Sequence, residues 1–351
     1  MVRAEWKPAM LRTRGRALLI GSDGSLYVSR KYEIFRSRDG GRAWHRDCFI
    51  SMSPIDSAMT VCSAGRRLLR RNIQDFAVLD DGARLAVARD GIYRAEPGEP
   101  RMHRVFAIAR GSRPLNLACV GKRVSFGEYG AGLDSEEVAI YGSEDGGSTF
   151  GVGFRFPRGA IGHVHNIQFD SYTGHYWVLT GDYGPQAGIG VLEPCFRSFH
   201  WLCRGDQRFR AVSVLIGEKY LTYGTDSSVE GNWIGRLDKS TGKFEELLKV
   251  EGSSLYAGQF GSASVITTCV EPNPACPSTR CSIYTSHDRI DWHRLETFEK
   301  DWMHTQCFQF GTIVLPKVTH DCPPLMYSGQ ALRRAHDSVW IDPCGAALNS
   351  A

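Results

Sequence analysis

Apolar residues in this chain come in short runs, such as Ala17 to Ile20, each cut off by glycine or polar turn residues. Nowhere do they recur at i, i+3, i+4 and i+7 over a helical length, so no amphipathic helix of any length is expected. The runs are strand-sized. One stretch predicts four strands in succession, at 163–170, 175–180, 188–192 and 199–203. The next predicts four more, at 209–216, 219–223, 233–237 and 243–250. Glycine is abundant, 38 of 351 residues, and it clusters in turn-like contexts rather than in one flexible tract. Many tight turns between many short strands mean an all-β chain.

Two octapeptides repeat: Ser37-Arg38-Asp39-Gly40-Gly41-Arg42-Ala43-Trp44 and Ser143-Glu144-Asp145-Gly146-Gly147-Ser148-Thr149-Phe150. Both fit S-x-D-x-G-x-x-[WF] and follow a strand-like run. A degenerate copy, Ser286-His287-Asp288-Arg289-Ile290-Asp291-Trp292, is one residue short and lacks the glycine. The physics of the pattern is local. An aspartate accepts hydrogen bonds from turn amides, a glycine supplies positive φ, and the aromatic folds back as filling between sheets. These residues are therefore read as structural. The repeat resembles the Asp-box, or BNR, repeat of sialidases and related propellers.

Weaker turns follow Ile92-Tyr93-Arg94, Gly190-Val191-Leu192, Ile234-Gly235-Arg236-Leu237 and Leu325-Met326-Tyr327. With the three boxes they give seven hairpins spaced about 45–50 residues apart, room for four short strands each, the size of a propeller blade. The expected fold is a single β-propeller domain over 1–351, with seven four-stranded blades. Six blades stay open, because the seventh hairpin is the poorest. The boxes would join third to fourth strands.

That placement sorts the polar residues. Loops entering first strands carry Arg71 and Asn72, Arg113 and Asn116, the group His163, His165 and Asn166, then Gln207, Arg208 and Arg210, Tyr256, and Trp302 with His304. Second-to-third loops carry Tyr32, Glu128 and Tyr129, Asp182 and Tyr183, Tyr223 and Asp226, Glu271, and His320 with Asp321. One face thus collects carboxylates, arginines, imidazoles and aromatics, the lining of a polar ligand site. Related fragments recur there: Phe126-Gly127-Glu128-Tyr129, Thr180-Gly181-Asp182-Tyr183 and Tyr223-Gly224-Thr225-Asp226. Glu128, Asp182 and Asp226 are the candidate catalytic carboxylates for glycoside hydrolysis. His163 and His165 lie two apart on one strand and face the same way. They are candidates for general base, for sugar hydrogen bonds, or for half of a metal site. Arg208 and Arg210 suit the carboxylate of an acidic sugar, or a salt bridge to Asp182 or Asp226. Arg71, Arg113, Tyr129, Asn166, Tyr183, Tyr256, Trp302 and His304 complete the expected substrate-binding set.

Composition narrows the classes. Apolar residues are 42% and charged residues 23%, ordinary for a folded chain, and the net charge of +4 is too small to argue for nucleic acid. The one basic knot, Arg66, Arg67, Arg70 and Arg71, reads as a solvated loop face. No run approaches a membrane span, and the first 22 residues lack the apolar core of a signal peptide, so a cytoplasmic protein is expected. Eleven cysteines cannot all pair. Most sit singly in apolar runs, such as Cys119, Cys269 and Cys307, and are read as buried thiols in a reducing compartment. Cys276 and Cys281 lack a second pair and make a poor zinc site.

The whole chain resembles a sialidase-like glycosyl hydrolase propeller, and 126–271 resembles propellers of this superfamily found with polysaccharide gene clusters. The resemblance implies a carbohydrate ligand; no cofactor is expected, no metal is assigned, and whether His163 and His165 bind one stays open. The Arg-Ile-Pro motif of sialidases is absent, which points away from sialidase activity itself. A glycosidase is the leading expectation. A uronate lyase using His163 or His165 with a tyrosine, and a non-catalytic binding propeller, are the alternatives.

Overall fold

The computed structural model describes residues 10–52, 63–68, 72–88, 90–130, 136–343 and 348. Strands pair antiparallel with their sequence neighbours to make successive four-stranded sheets, the arrangement of a β-propeller. Sheets 1, 2 and 3 span 16–50, 75–107 and 118–156. Sheet 4 comprises His163–Asp170, His175–Gly181, Gly188–Leu192 and Phe199–Arg204. Sheet 5 comprises Leu215–Ile216, Tyr220–Gly224, Asn232–Asp238 and Phe244–Val250. Sheet 6 spans 254–299.

Sheet 7 takes Gly311–Val314, Leu325–Gln330 and Ser338–Asp342 from the chain's end and borrows Leu11–Arg14 from its start. Leu11 pairs with Ile341 and Arg14 with Ser338, so the first described strand is joined to the last by backbone hydrogen bonds. This corrects the reading of Leu325-Met326-Tyr327 as a third strand. It is a second strand, paired to both neighbours. His320 and Asp321 therefore lie in a first-to-second loop, where His320 sits against Gly24 of the equivalent loop in sheet 1.

The core is divided into layers between adjacent sheets. Sheets 4 and 5, for example, enclose Trp177, Leu179, Ile189, Leu221, Tyr223 and Leu237. Strands sandwiched in this way are buried on both faces, as Arg84–Ala88 and Ala263–Val270 are throughout, so their sequence reads as a run rather than an alternation. Each fully buried aliphatic side chain contributes about 1.5–3 kcal/mol.

The two repeated octapeptides and the degenerate copy each form a turn held by an aspartate. Asp145 accepts from the amides of Ser148 and Thr149 and from the hydroxyls of Ser143 and Thr149. Asp39 repeats this with Arg42, Ala43 and Ser37. In the degenerate copy Arg289 itself adopts φ 61°. The aromatics Trp44, Phe150 and Trp292 each pack toward the preceding sheet.

Side-chain amides lace the inner strands together. Asn116 bonds the backbone of Ile167 in both directions, Asn166 donates to Val212 O, and Gln168 both donates to Val214 O and accepts from Val214 N. Sheet 5 departs from expectation: of the stretch 209–216 only Leu215–Ile216 forms a ladder, with an isolated bridge from Ala211 to Thr225 ahead of it. Ahead of that lies a 3₁₀ turn, Gln207–Phe209, capped by Asp206.

Two short helices, Ser63–Leu68 and Thr305–Phe308, lie in loops. Among the described residues no helix is long and apolar enough to cross a membrane. Arg67, expected in solvent, is buried and forks onto Asp301 at 2.6 and 3.2 Å. Arg70 and Arg71 lie outside the described residues. Cys269 is buried as expected. Cys307 is exposed, since it falls on the Thr305–Phe308 helix rather than in a strand.

Candidate functional site

The inner strands surround a cavity of about 1190 Å³. Its chemically dense end lies at sheets 3 to 6. There Tyr129, His165, Arg210, Asp226 and Glu271 line the wall, with His163, Asp182 and Tyr183 beside them.

The local sequence explains the convergence. Gly181 and Gly224 each end the second strand of their sheet, where a side chain would strike a neighbour. A Cβ on Gly181 would sit 2.4 Å from His165 Cε1, and one on Gly224 would sit 2.4 Å from Ser254 Cβ. Glycine permits this close approach, and the loop just beyond delivers Asp182 or Asp226 to the opening.

Arg210 is the hub. Its Nε lies 3.2 Å from Asp226 Oδ2, its Nη2 lies 3.4 Å from Asp182 Oδ1, and its Nη1 reaches Ser228 Oγ at 3.3 Å. Its guanidinium carbon stands 5.5 Å from the Tyr183 ring centroid, and the Tyr183 hydroxyl bonds Ser228. His163 Nε2 is 3.4 Å from Asp182 Oδ1. The His163 ring lies 4.7 Å from that of His165 and 4.5 Å from that of Tyr129, centroid to centroid. His165 Nδ1 donates to Ala211 O at 2.9 Å, which leaves Nε2 as the basic nitrogen.

Burial dominates the electrostatics. It pushes the Asp226 carboxyl up to about 7, with Arg210 pulling down and Glu271 and Asp182 pushing further up. Burial also raises Glu271, against Arg210 and with help from Asp182. It holds His163 and His165 below the ordinary imidazole value, so both are neutral near pH 7. Tyr129 is pushed up to about 12 by burial and then by the Asp226 and Asp182 charges. Burial works against the Arg210 cation, yet Asp226, Asp182 and Glu271 hold it above the usual guanidinium value.

Of the expected residues, Asp182, Asp226, His163, His165, Tyr129, Tyr183 and Arg210 come together. Glu128 does not. It pairs with Arg110 at 2.9 Å and accepts from Ala139 N, because alternation past the strand end turns Tyr129 inward and Glu128 away. Arg208 turns back onto Asp206, its own turn cap, at 2.7 Å. Asn166 serves the lacing. Arg113 and Tyr256 line the cavity away from the cluster, Arg113 donating to Asn72 O and Tyr256 accepting from Arg16. Trp302 is 92% exposed and His304 is exposed at the start of the Thr305–Phe308 helix, so neither faces the cavity. Arg71 lies outside the described residues. Ser228 was missed, and only its position two residues past Asp226 could have signalled it.

No family model matches the chain, and no curated protein matches it. Solved structures do. YCF48 bound to D1 peptide aligns at TM-score 0.58 with 11% identity, covering 96% of this chain and 96% of that one. The extracellular domain of BT4673 from B. thetaiotaomicron also aligns at 0.58 with 11% identity, over 94% of this chain and 38% of that one. YCF48 from Cyanidioschyzon merolae aligns at 0.52 with 16% identity, over 95% and 99%. The chain is a β-propeller. At these identities the likeness extends to the fold alone.

Proposed function

We propose that this is a seven-bladed, Asp-box propeller that binds carbohydrate at the sheet 3–6 end of its cavity and hydrolyses a glycosidic bond there. The observation that carries the reading is the pair Asp182 and Asp226, two carboxylates in contrasting settings on one guanidinium. Asp226, with its carboxyl near 7, keeps a proton on a substantial share of molecules at neutral pH and suits the general acid. Asp182 is more open, its side chain 25% exposed, and salt-bridged to Arg210, which suits the ionised partner that attacks or activates water. Tyr129 and Tyr183 offer faces for a sugar ring to stack on.

The sugar is neutral in this reading. Both arginines considered for an acidic group are already paired, Arg208 with Asp206 and Arg210 with two aspartates. The same pairing weighs against a uronate lyase, which needs a guanidinium to neutralise its substrate. The described cysteines carry no disulfide, in keeping with a reducing, cytoplasmic setting.

The test is a panel of neutral and uronic aryl-glycosides and oligosaccharides with the intact chain. Turnover of a neutral member, lowered about 10²–10⁴-fold in Asp226→Asn, supports the assignment. Unsaturated products, detected by ultraviolet absorbance, from the uronic oligosaccharides would indicate the lyase instead. Turnover unchanged in both Asp226→Asn and Asp182→Asn would remove the site.

A further inference from the structure

We infer that His163, His165 and Asp182 form a binding site for a divalent first-row transition ion. Their ligand atoms all lie within 4.8 Å of one another, a gap that a central ion bridges with small side-chain movements. Two of the three come from one strand at i and i+2. The third follows the paired strand, where Gly181 is in register with His163.

Three further features suit an ion better than an ordinary buried network. First, His163 is 5% exposed, yet neither of its ring nitrogens has a hydrogen bond. An orphaned buried imidazole costs about 1–3 kcal/mol, which coordination would recover. Second, the Nδ1 of His165 is held by the Ala211 carbonyl, so its Nε2 lone pair is presented, the outer-shell device by which proteins orient metal-bound histidines. Third, three carboxyl groups share the opening with one guanidinium. Asp226 and Glu271 are each pushed up partly by their acidic neighbours, a repulsion that a dication relieves.

A plain His163–Asp182 ion pair accounts for less. His163 Nε2 stands 3.4 Å from Asp182 Oδ1 without a hydrogen bond, and the pair offers nothing to the equally buried Nδ1. Arg210 and the ion would share the Asp182 carboxylate: its Nη2 lies 3.4 Å from Asp182 Oδ1, while its Nε and Nη1 face Asp226 Oδ2 and Ser228 Oγ. Two imidazoles and a carboxylate favour zinc, iron, nickel or copper over magnesium or calcium. Three protein ligands leave coordination positions open toward the cavity, as in catalytic rather than structural sites.

The ion site shares Asp182 with the glycosidase reading but does not rest on it. With an ion bound, Asp182 is a ligand and proton transfer falls to Asp226. The test uses the full chain, stripped with chelator and titrated with Zn²⁺ by calorimetry and with Co²⁺ by visible absorption. A single saturable site is expected. His163→Gln and Asp182→Asn should each weaken it by at least the roughly 10–100-fold that loss of an outer-shell partner costs, while exposed His103→Gln leaves it unchanged. Circular dichroism confirms folding, and the more open Asp182→Asn serves alone if His163→Gln does not fold. No saturable binding, or binding unchanged in the folded variants, overturns the site. Glycoside turnover by the metal-free protein keeps the outcomes distinct, since it would uphold the hydrolase reading even if the ion site failed.

Discussion

Asp226 makes the stability of this propeller depend on pH in a way that can be worked out beforehand. The side chain is almost wholly enclosed, and burial lifts its carboxyl from 3.8 to about 7. A rise of about three units at about 1.36 kcal/mol each is about 4 kcal/mol. The folded chain keeps a proton that the unfolded chain releases near pH 4. The stability tied to that proton is complete below pH 4 and lost as pH climbs through about 7. His163 and His165 act oppositely. Held below the ordinary imidazole value, they favour folding above about 6.5 and disfavour it below. A difference measurement separates the two effects. Asparagine at 226 keeps the shape but cannot titrate, so the unfolding free energy of Asp226→Asn minus that of the parent should grow by about 4 kcal/mol between pH 4 and pH 8. Urea unfolding followed by tryptophan fluorescence at a series of pH values measures it. A difference that stays flat across the range would mean that Asp226 remains ionised against Arg210 throughout. It would then have no proton to give at neutral pH, and the general-acid assignment would go with it.

Three other outcomes are expected. Asp145→Ala removes the acceptor for two turn amides and two hydroxyls, and should cost about 1–2 kcal/mol in thermal or urea unfolding, as loss of a helix N-cap does. Gly181→Ala drives a methyl to within 2.6 Å of His165 Nε2, so it should cost about 1–3 kcal/mol and abolish the Co²⁺ spectrum. Arg210→Gln withdraws the cation that pulls Asp226 down, so the Asp226 midpoint, followed by carboxyl carbon NMR, should move further above 7.

The strand pattern was readable where each sheet is complete in itself. In sheet 4 all four expected strands fall within a residue of those observed, since Gly174, then Gly181, Asp182 and Gly184, then Pro194 mark the turns between them. Sheet 7 was misread because its outer strand lies more than 300 residues away in sequence, at Leu11–Arg14, and no local signal marks that pairing. The site divides along similar lines. Loop position alone brought Asp182, Asp226, His163, His165 and Arg210 to one opening. What a loop position does not carry is the direction of each side chain, so Glu128 and Tyr129 were grouped together although one faces Arg110 and the other the cavity. Nor does it reveal which arginine a neighbouring aspartate has already taken, as Asp206 takes Arg208.

The distribution of unsatisfied polar atoms argues that this end of the cavity is there for something other than folding. Elsewhere, several polar side chains between sheets are committed: Asn116, Gln168 and Thr267 bond the backbone of the next sheet, and Lys317 pairs with Asp75 and the Leu117 carbonyl. These contacts hold adjacent sheets in register and leave little over for a ligand. Among the described residues, thirteen buried side-chain polar atoms lack a hydrogen bond, and six of them belong to His163, Asn166, Gln207, Arg210 and Asp226. All five residues lie in sheets 4 and 5 or the loops that flank them. Each such atom costs about 1–3 kcal/mol, and apolar replacements at these positions would lower that cost. Nearly half of these unsatisfied atoms, imidazole, guanidinium and carboxyl atoms among them, gather around one opening, which gives it the hydrogen-bonding and coordinating capacity that a bound sugar or ion would use.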